Sequence, residues 1–279
     1  VSSQSLSVLL QQATDLLSAH TDSARLDAEI LLCKVLKKPR EYLYTWPEKE
    51  TSLQQQTDYQ SLVERRIAGV PLAYLTGEKE FWSHTFKVTP DTLIPRPDTE
   101  LIVELSIAKL KVTGGPFLDL GTGSGAIAIS VAKELPDIEV VASDNSDAAL
   151  AVANANASRL NANVNFLQSN WFENIPAQLF SVIATNPPYI ADNDPHLQRG
   201  GLQYEPLHAL RSCENGFADI TAIINKAPDY MSVGSWLLIE HGNTQGKRTA
   251  ELMQNRQITQ VETLKDLAQN DRVTLGQKA

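Results

Sequence analysis

The stretch Phe117-Leu118-Asp119-Leu120-Gly121-Thr122-Gly123-Ser124-Gly125 decides the fold. A short apolar run enters a loop with glycine at every second position, and apolar residues at helical spacing begin at Ala126. Strand, glycine loop and helix in that order let the backbone turn sharply and come close to a ligand, while the N–H groups opening the helix receive an anionic end. The spacing is G-x-G-x-G, not the G-x-G-x-x-G of dinucleotide binders, which tips the ligand away from a pyrophosphate and toward another nucleotide-like molecule. A tight turn alone is the competing reading of Gly121, Thr122, Gly123, Ser124 and Gly125. Downstream, strands near 138–143, 164–168, 180–185 and 236–240 alternate with helices near 126–135, 147–160 and 216–230. That alternation predicts an α/β fold with a mostly parallel sheet covered on both faces. Two further strands, near 261–264 and 272–275, are expected to form an antiparallel edge.

Ligands of such sheets lie at the carboxyl ends of the strands, and each strand end here carries a polar or aromatic residue. Asp144 ends the second strand, where a carboxylate accepts hydrogen bonds from both hydroxyls of a ribose. Its other reading is an N-cap, a task that Asn145, Ser146 or Asp147 can take instead. After the third strand, Asn170 is placed to meet an adenine edge and Trp171 to pack on the ring, unless Trp171 is simply core. The fourth strand runs into Asn186-Pro187-Pro188-Tyr189. Two prolines stop the strand and present rigid carbonyls, with an asparagine amide on one side and an aromatic plane on the other. That arrangement suits a planar group carrying an NH₂; a strand-ending turn is the plain alternative.

The 279 residues are 42% hydrophobic and 20% charged, as expected of an ordinary globular protein. No apolar run approaches the roughly 20 residues needed to span a bilayer, and the opening residues are not basic, so neither a membrane anchor nor a signal peptide is expected. Cys33 and Cys213 stand far apart without a CxxC, and the histidines are scattered, which argues against a disulfide framework or a metal cluster and fits a cytoplasmic home. A net charge of −9 argues against a protein that holds nucleic acid mainly through phosphates.

Upstream of the glycine loop, residues 1–76 read as a small helical bundle without a catalytic constellation, a domain expected to grip the substrate. Its best helix runs from Ala24 to Leu36, with Asp27 and Glu29 near its start and Lys34, Lys37 and Lys38 near its end. The basic residues, Arg40, Arg65 and Arg66 included, read as a solvated face. Residues 77–95 alternate as a hairpin linker, and 96–279 form the sheet domain. Arg96 and Glu100 either line a site or are surface charges at the domain joint.

Asp119 to Gly125 with Asp144 resembles the cofactor loop of class I S-adenosylmethionine-dependent methyltransferases, and Asn186-Pro187-Pro188-Tyr189 resembles the subset acting on planar amino or amide nitrogens. The segments Ile94-Pro95-Arg96-Pro97-Asp98-Thr99-Glu100, Tyr204-Glu205-Pro206-Leu207-His208-Ala209-Leu210, Leu238-Ile239-Glu240-His241-Gly242 and Asp271-Arg272-Val273-Thr274-Leu275-Gly276 are similar to the bacterial peptide-chain release factor glutamine methyltransferases. The resemblance spans nearly the whole chain. It implies a Rossmann-like, seven-stranded class I methyltransferase domain behind a helical domain and a hairpin. It implies S-adenosyl-L-methionine as methyl donor, with S-adenosyl-L-homocysteine as product, and the Gly-Gly-Gln glutamine of class I release factors as substrate. Where that family usually carries aspartate after the third strand, this chain has Asn170, which still accepts from an amino group but adds no charge.

On this reading the Asn186 side-chain oxygen and the Pro187 carbonyl accept the two amide hydrogens, Tyr189 packs on the amide plane, and Pro188 and Arg96 complete the substrate site. The rivals are an amino-adenine DNA or RNA methyltransferase, a glutamine methyltransferase acting on a ribosomal protein, and a nucleotide-binding module without transfer. The acidic balance disfavours the first, and the intact Asn-Pro-Pro-Tyr clamp disfavours the last.

Overall fold

The computed structural model describes residues 3–198 and 200–279, and the chain divides into two compact units. One gathers the chain up to Glu78 together with Gly200–Tyr204; the other holds the rest.

In the first unit, five helices follow one another: α1 Leu6–Leu17, α2 Ala24–Leu36, α3 Glu41–Thr45, α4 Leu53–Ile67 and α5 Leu72–Thr76. Ser5 caps α1 by accepting the Val8 N–H, and Ser52 and Gln55 form a reciprocal capping box on α4. Leu6, Leu10 and Leu17 of α1 meet Leu31 and Leu32 of α2 and Val63 of α4 in a single apolar core. The charges of α2 are not arranged as its sequence predicts. Asp27 and Glu29 are buried, so each needs a cation: Arg66 Nε donates to Asp27 at 2.7 Å, while Arg40 and Arg25 bracket Glu29 at 2.6 and 2.7 Å. Arg40 and Arg66 are therefore structural partners, not members of a solvated basic face. The short piece from the distant loop fits here: the Tyr204 hydroxyl donates to the Ala68 carbonyl at 2.6 Å, and Gly201 lies against Pro71 so closely that a Cβ there would come within 3.2 Å of its ring.

The second unit begins at Lys79, within the hairpin of β1 Glu78–Phe81 and β2 His84–Lys87, turned by Trp82 and Ser83, both in the left-handed region. The chain continues as α6 Glu100–Thr113, β3 Phe117–Leu120, α7 Ala126–Glu134, β4 Val140–Asp144, α8 Asp147–Leu160, β5 Asn165–Gln168, β6 Phe180–Thr185, the short pair β7 Ile190–Ala191 and β8 Arg211–Ser212, α9 Cys213–Gly216, α10 Ala218–Lys226, β9 Met231–Glu240, α11 Gly246–Gln254, β10 Ile258–Lys265 and β11 Asp271–Lys278. Seven strands form one sheet in the order β10-β11-β9-β6-β3-β4-β5. Neighbours from β9 to β5 are parallel, whereas β11 runs antiparallel to both β9 and β10. The last two strands form the expected antiparallel edge, β10 outermost, with Val273 to Gln277 of β11 paired to Glu240 to Trp236 of a β9 that begins at Met231, ahead of the expected 236.

Strand alternation distributes the core to both faces. Phe117, Val182 and Leu238 point into one layer with Ile102 and Ile127; their neighbours Leu118, Ile183 and Leu237 point into the other with Ile220 and Ile223. From Lys79 on, the hairpin belongs to this unit. Phe81 and Phe86 are fully buried in the first layer, ring to ring at 6.0 Å. Asn156 of α8, also fully buried, pairs with both backbone groups of Lys87 at 2.7 and 3.0 Å and donates to the Ser124 carbonyl at 2.9 Å, tying hairpin and glycine loop together. Among the described residues, no helix is long and apolar enough to cross a membrane.

Candidate active site

One open cleft of about 880 Å³, counted to its mouth, lies along the carboxyl ends of the parallel strands and the segment leading into α6. Its floor is the glycine loop. Gly121 and Gly125 have φ of 71° and 83°, and a Cβ on either would press on a neighbour: 3.2 Å from the Trp171 ring at the first, 2.7 Å from Ile129 Cδ1 at the second. A Cβ on Gly123 would meet nothing within 4 Å, so here the loop leaves room for a ligand. Beneath the loop, fully buried Asp119 accepts the Thr122 hydroxyl at 2.6 Å and the Ala128 N–H at 3.2 Å. Burial pushes its carboxyl up to about 7. The Thr122 side chain is thus committed inward and contributes to the cleft through the rest of the residue.

Asp144 ends β4 at the cleft, but it is not idle. Its two oxygens accept the Gly123 N–H at 2.8 Å and the Ser146 N–H at 2.9 Å, which leaves each oxygen a further lone pair. Ser146 is the cap of α8, accepting from Ala149 at 3.2 Å, so Asp144 is relieved of that task. Asn170 Nδ2 donates to Glu173 at 2.8 Å, and its Oδ1 keeps its acceptor capacity. The Trp171 ring lines the cleft over Gly121, packs against the second core layer and donates to Asp219 at 3.1 Å.

At the end of β6, the Thr185 hydroxyl donates to the Leu120 carbonyl at 2.7 Å and locks the strand to β3. Asn186 and Pro188 then line the cleft; Pro187 is buried and Tyr189 is half-buried. The Tyr189 carbonyl is held by Gln245 Nε2 at 3.1 Å and abuts Gly216, where a Cβ would come within 2.1 Å of it. The backbone is therefore fixed with the ring lying beside Gly242, where burial, with the Glu240 charge adding to it, raises the phenol to about 12. Asn186 Nδ2 donates to Thr99 Oγ1 at 3.3 Å, which leaves Oδ1 as its unused end. Arg96 lines the cleft and pairs with buried Glu205, whose second oxygen accepts the Ile94 N–H at 3.1 Å. Glu100 serves elsewhere, accepting the Trp82 N–H at 2.9 Å. Sequence reading missed the supporting roles of Thr99, Glu205 and Glu240. Each lies in a segment it had singled out, but their partners are far away in the chain.

Two family models match the chain. The PrmC N-terminal domain family matches residues 8–77, and the methyltransferase small domain family matches residues 99–199. A release factor glutamine methyltransferase of Aliivibrio fischeri is 45% identical over 99% of this chain and 98% of its own length. The one of Vibrio cholerae is 46% identical over 99% and 97%. The chain belongs to the release factor glutamine methyltransferase family. As a family member it is a methyltransferase of the class I fold, and its sheet order accords with that fold. A T. thermophilus 16S rRNA N2 G1207 methyltransferase, solved with AdoMet and guanosine, shares the fold at a TM-score of 0.55 and 18% identity, covering 72% of this chain and 50% of that one.

Proposed function

We propose that the chain transfers the methyl group of S-adenosyl-L-methionine to the side-chain amide nitrogen of the glutamine in the Gly-Gly-Gln loop of class I peptide-chain release factors, in the cytoplasm. The carrying observation is Asn186 Oδ1, an acceptor with its amide nitrogen already engaged, in the same cleft as Gly123 and Asp144.

The cleft suits the donor molecule on its own chemistry. Gly123 leaves space, Asp144 has lone pairs for a ribose diol, Asn170 Oδ1 accepts from an exocyclic amine, and Trp171 offers a flat wall. The Gly125 turn opens α7 with backbone N–H groups for an anionic end. When bound, the cofactor supplies an electrophilic methyl group on a sulfonium.

A glutamine amide is a weak nucleophile because its lone pair is delocalised into the carbonyl. Asn186 Oδ1 and the Pro187 carbonyl accept the two amide hydrogens and turn that lone pair toward the methyl group; Pro188 forms a stiff wall. Tyr189 packs on the amide plane. Orientation supplies most of the rate. No base is needed before transfer; the nitrogen sheds one proton to solvent afterwards, and the other product is S-adenosyl-L-homocysteine.

The test is incubation with labelled S-adenosylmethionine and, separately, a class I release factor, its Gln→Ala variant, a ribosomal protein mixture and duplex DNA. Label on the release factor that disappears with the glutamine is expected; label on DNA instead overturns the reading. Asn186→Ala is expected to abolish turnover while cofactor binding survives, and normal turnover in that variant refutes the clamp.

A further inference from the structure

We infer that Gln245 and Gly216 are positioning residues for methyl transfer: by fixing the Tyr189 carbonyl, they set the Asn-Pro-Pro-Tyr loop against the cleft. The inference rests on the amide-methylation reading above and extends it to two residues that the reading does not need.

Pro187 and Pro188 stiffen the loop but bring no N–H, so it cannot be fastened through donors of its own there. It is fastened through a carbonyl. Gln245, buried just ahead of α11, donates from Nε2 to the Tyr189 carbonyl at 3.1 Å and to the Gly216 carbonyl at 3.3 Å, while its Oε1 accepts the Gly242 N–H at 2.8 Å. All three partners are backbone groups, and a carbonyl can only accept and an N–H only donate. The Gln245 amide therefore has one orientation, with both hydrogens and the oxygen engaged. A flipped amide would set its oxygen against two carbonyls and its NH₂ against an N–H.

The Gly216 backbone comes up from the other side. It closes a turn in which Glu214, Asn215 and Gly216 all have left-handed φ, at 53°, 56° and 86°. Residues with a Cβ adopt that region rarely, so two in succession mark a turn held by its surroundings. The turn brings the Gly216 Cα against the loop: a Cβ there would stand 2.1 Å from the Tyr189 carbonyl oxygen and 2.8 Å from Gln245 Nε2. Because its ring fixes φ of Pro188, only ψ of Pro188 and the φ and ψ of Tyr189 separate the peptide plane carrying the Tyr189 carbonyl from the one carrying the Pro187 carbonyl. Holding the first plane limits the second, and it sets the direction in which the Tyr189 ring leaves the chain.

Gln245→Met keeps the length of the side chain and removes both hydrogen-bonding ends; Gly216→Ala puts a methyl group where the carbonyl lies. A misplacement of about 1 Å costs about 100-fold in rate, so each variant is expected to lower kcat on the release factor about 10- to 100-fold. KM for the release factor and the Kd for S-adenosylhomocysteine, read with the number of binding sites by titration calorimetry, are expected to stay within about threefold. The cofactor side does not hang on this contact, since Gly123, Asp144 and Asn170 sit at the ends of β3, β4 and β5. Thr249→Val is the control for damage to α11: it removes a hydroxyl that donates to the Gln245 backbone carbonyl at 3.0 Å and leaves the Gln245 side chain in place, so its kcat is expected within about threefold of wild type. Gln245→Met or Gly216→Ala with kcat within about threefold of wild type per binding site, losses carried by KM instead of kcat, or a Thr249→Val enzyme as slow as Gln245→Met overturns the inference. Should one of the two variants fail to fold, the other decides; loss of cofactor binding in both assigns the contacts to folding alone and overturns it as well. A wild-type chain that does not label release factor sinks the underlying reading, whereas an active chain with unaffected variants sinks this inference alone.

Discussion

Asp144→Asn probes the cofactor side of the cleft with a change of two atoms' chemistry and almost none in shape. The carboxylate now accepts backbone N–H groups from Gly123 at 2.8 Å and Ser146 at 2.9 Å. An amide keeps one acceptor and turns the other into a donor, so whichever way it lies an NH₂ faces one of those N–H groups. Its remaining oxygen is then shared between loop and ribose. Losing one hydrogen bond to a charged group costs about 1.5–3 kcal/mol. At about 1.4 kcal/mol per tenfold, the affinity for S-adenosylmethionine should fall about 10- to 150-fold. Titration calorimetry with S-adenosylhomocysteine and its 2′-deoxy analogue separates the causes: the unaltered enzyme should prefer the ribose form, and the variant should lose that preference. Equal preference in both proteins, or a Kd within about threefold of wild type, would refute the assignment of Asp144 to the ribose.

Two further expectations concern stability. Asn156→Leu removes three buried bonds at 2.7, 3.0 and 2.9 Å and strands the Lys87 N–H and the Ser124 carbonyl, so urea unfolding should show a loss of at least about 3 kcal/mol; a loss below about 1 kcal/mol would show that the hairpin does not depend on it. Asp119 is raised to about 7 by burial, so the folded state holds its proton where the unfolded chain does not, and the stability this contributes is full below about pH 4 and lost as pH rises through about 7. Asp119→Asn cannot titrate, so its stability should improve relative to wild type from pH 4 to 7 and then level off; parallel pH curves for the two proteins would contradict this.

What could be read in the sequence was local. The glycine loop, the boundaries of α2 and the parallel strands depend on spacing within a dozen residues, and each was found where periodicity put it, except that β9 begins five residues early, at Met231. What failed depended on neighbours distant in the chain. Asp27 and Glu29 looked like first-turn acids because nothing in α2 announces that Arg66 and Arg40 will cover them. The hold on the Tyr189 carbonyl could not be read locally, because Gly216 and Gln245 lie on other elements. Asn186 could be picked out from its prolines, but the partner that orients it, Thr99, is 87 residues away. The position of β11 between β9 and β10 was equally hidden, since two adjacent apolar runs do not reveal which of them reaches β9 first.

The contact of Tyr204 with Ala68, and of Gly201 with Pro71, bears on how such proteins can be recombined. A chimera cut once near Glu78 would carry the helices of one parent and the residues capping them from the other. Mismatch at that small seam would show as poor grafting even between parents whose helices and sheets are each sound. Exchange of the N-terminal unit therefore calls for moving Gly200–Tyr204 along with it, a transplant of two separate pieces.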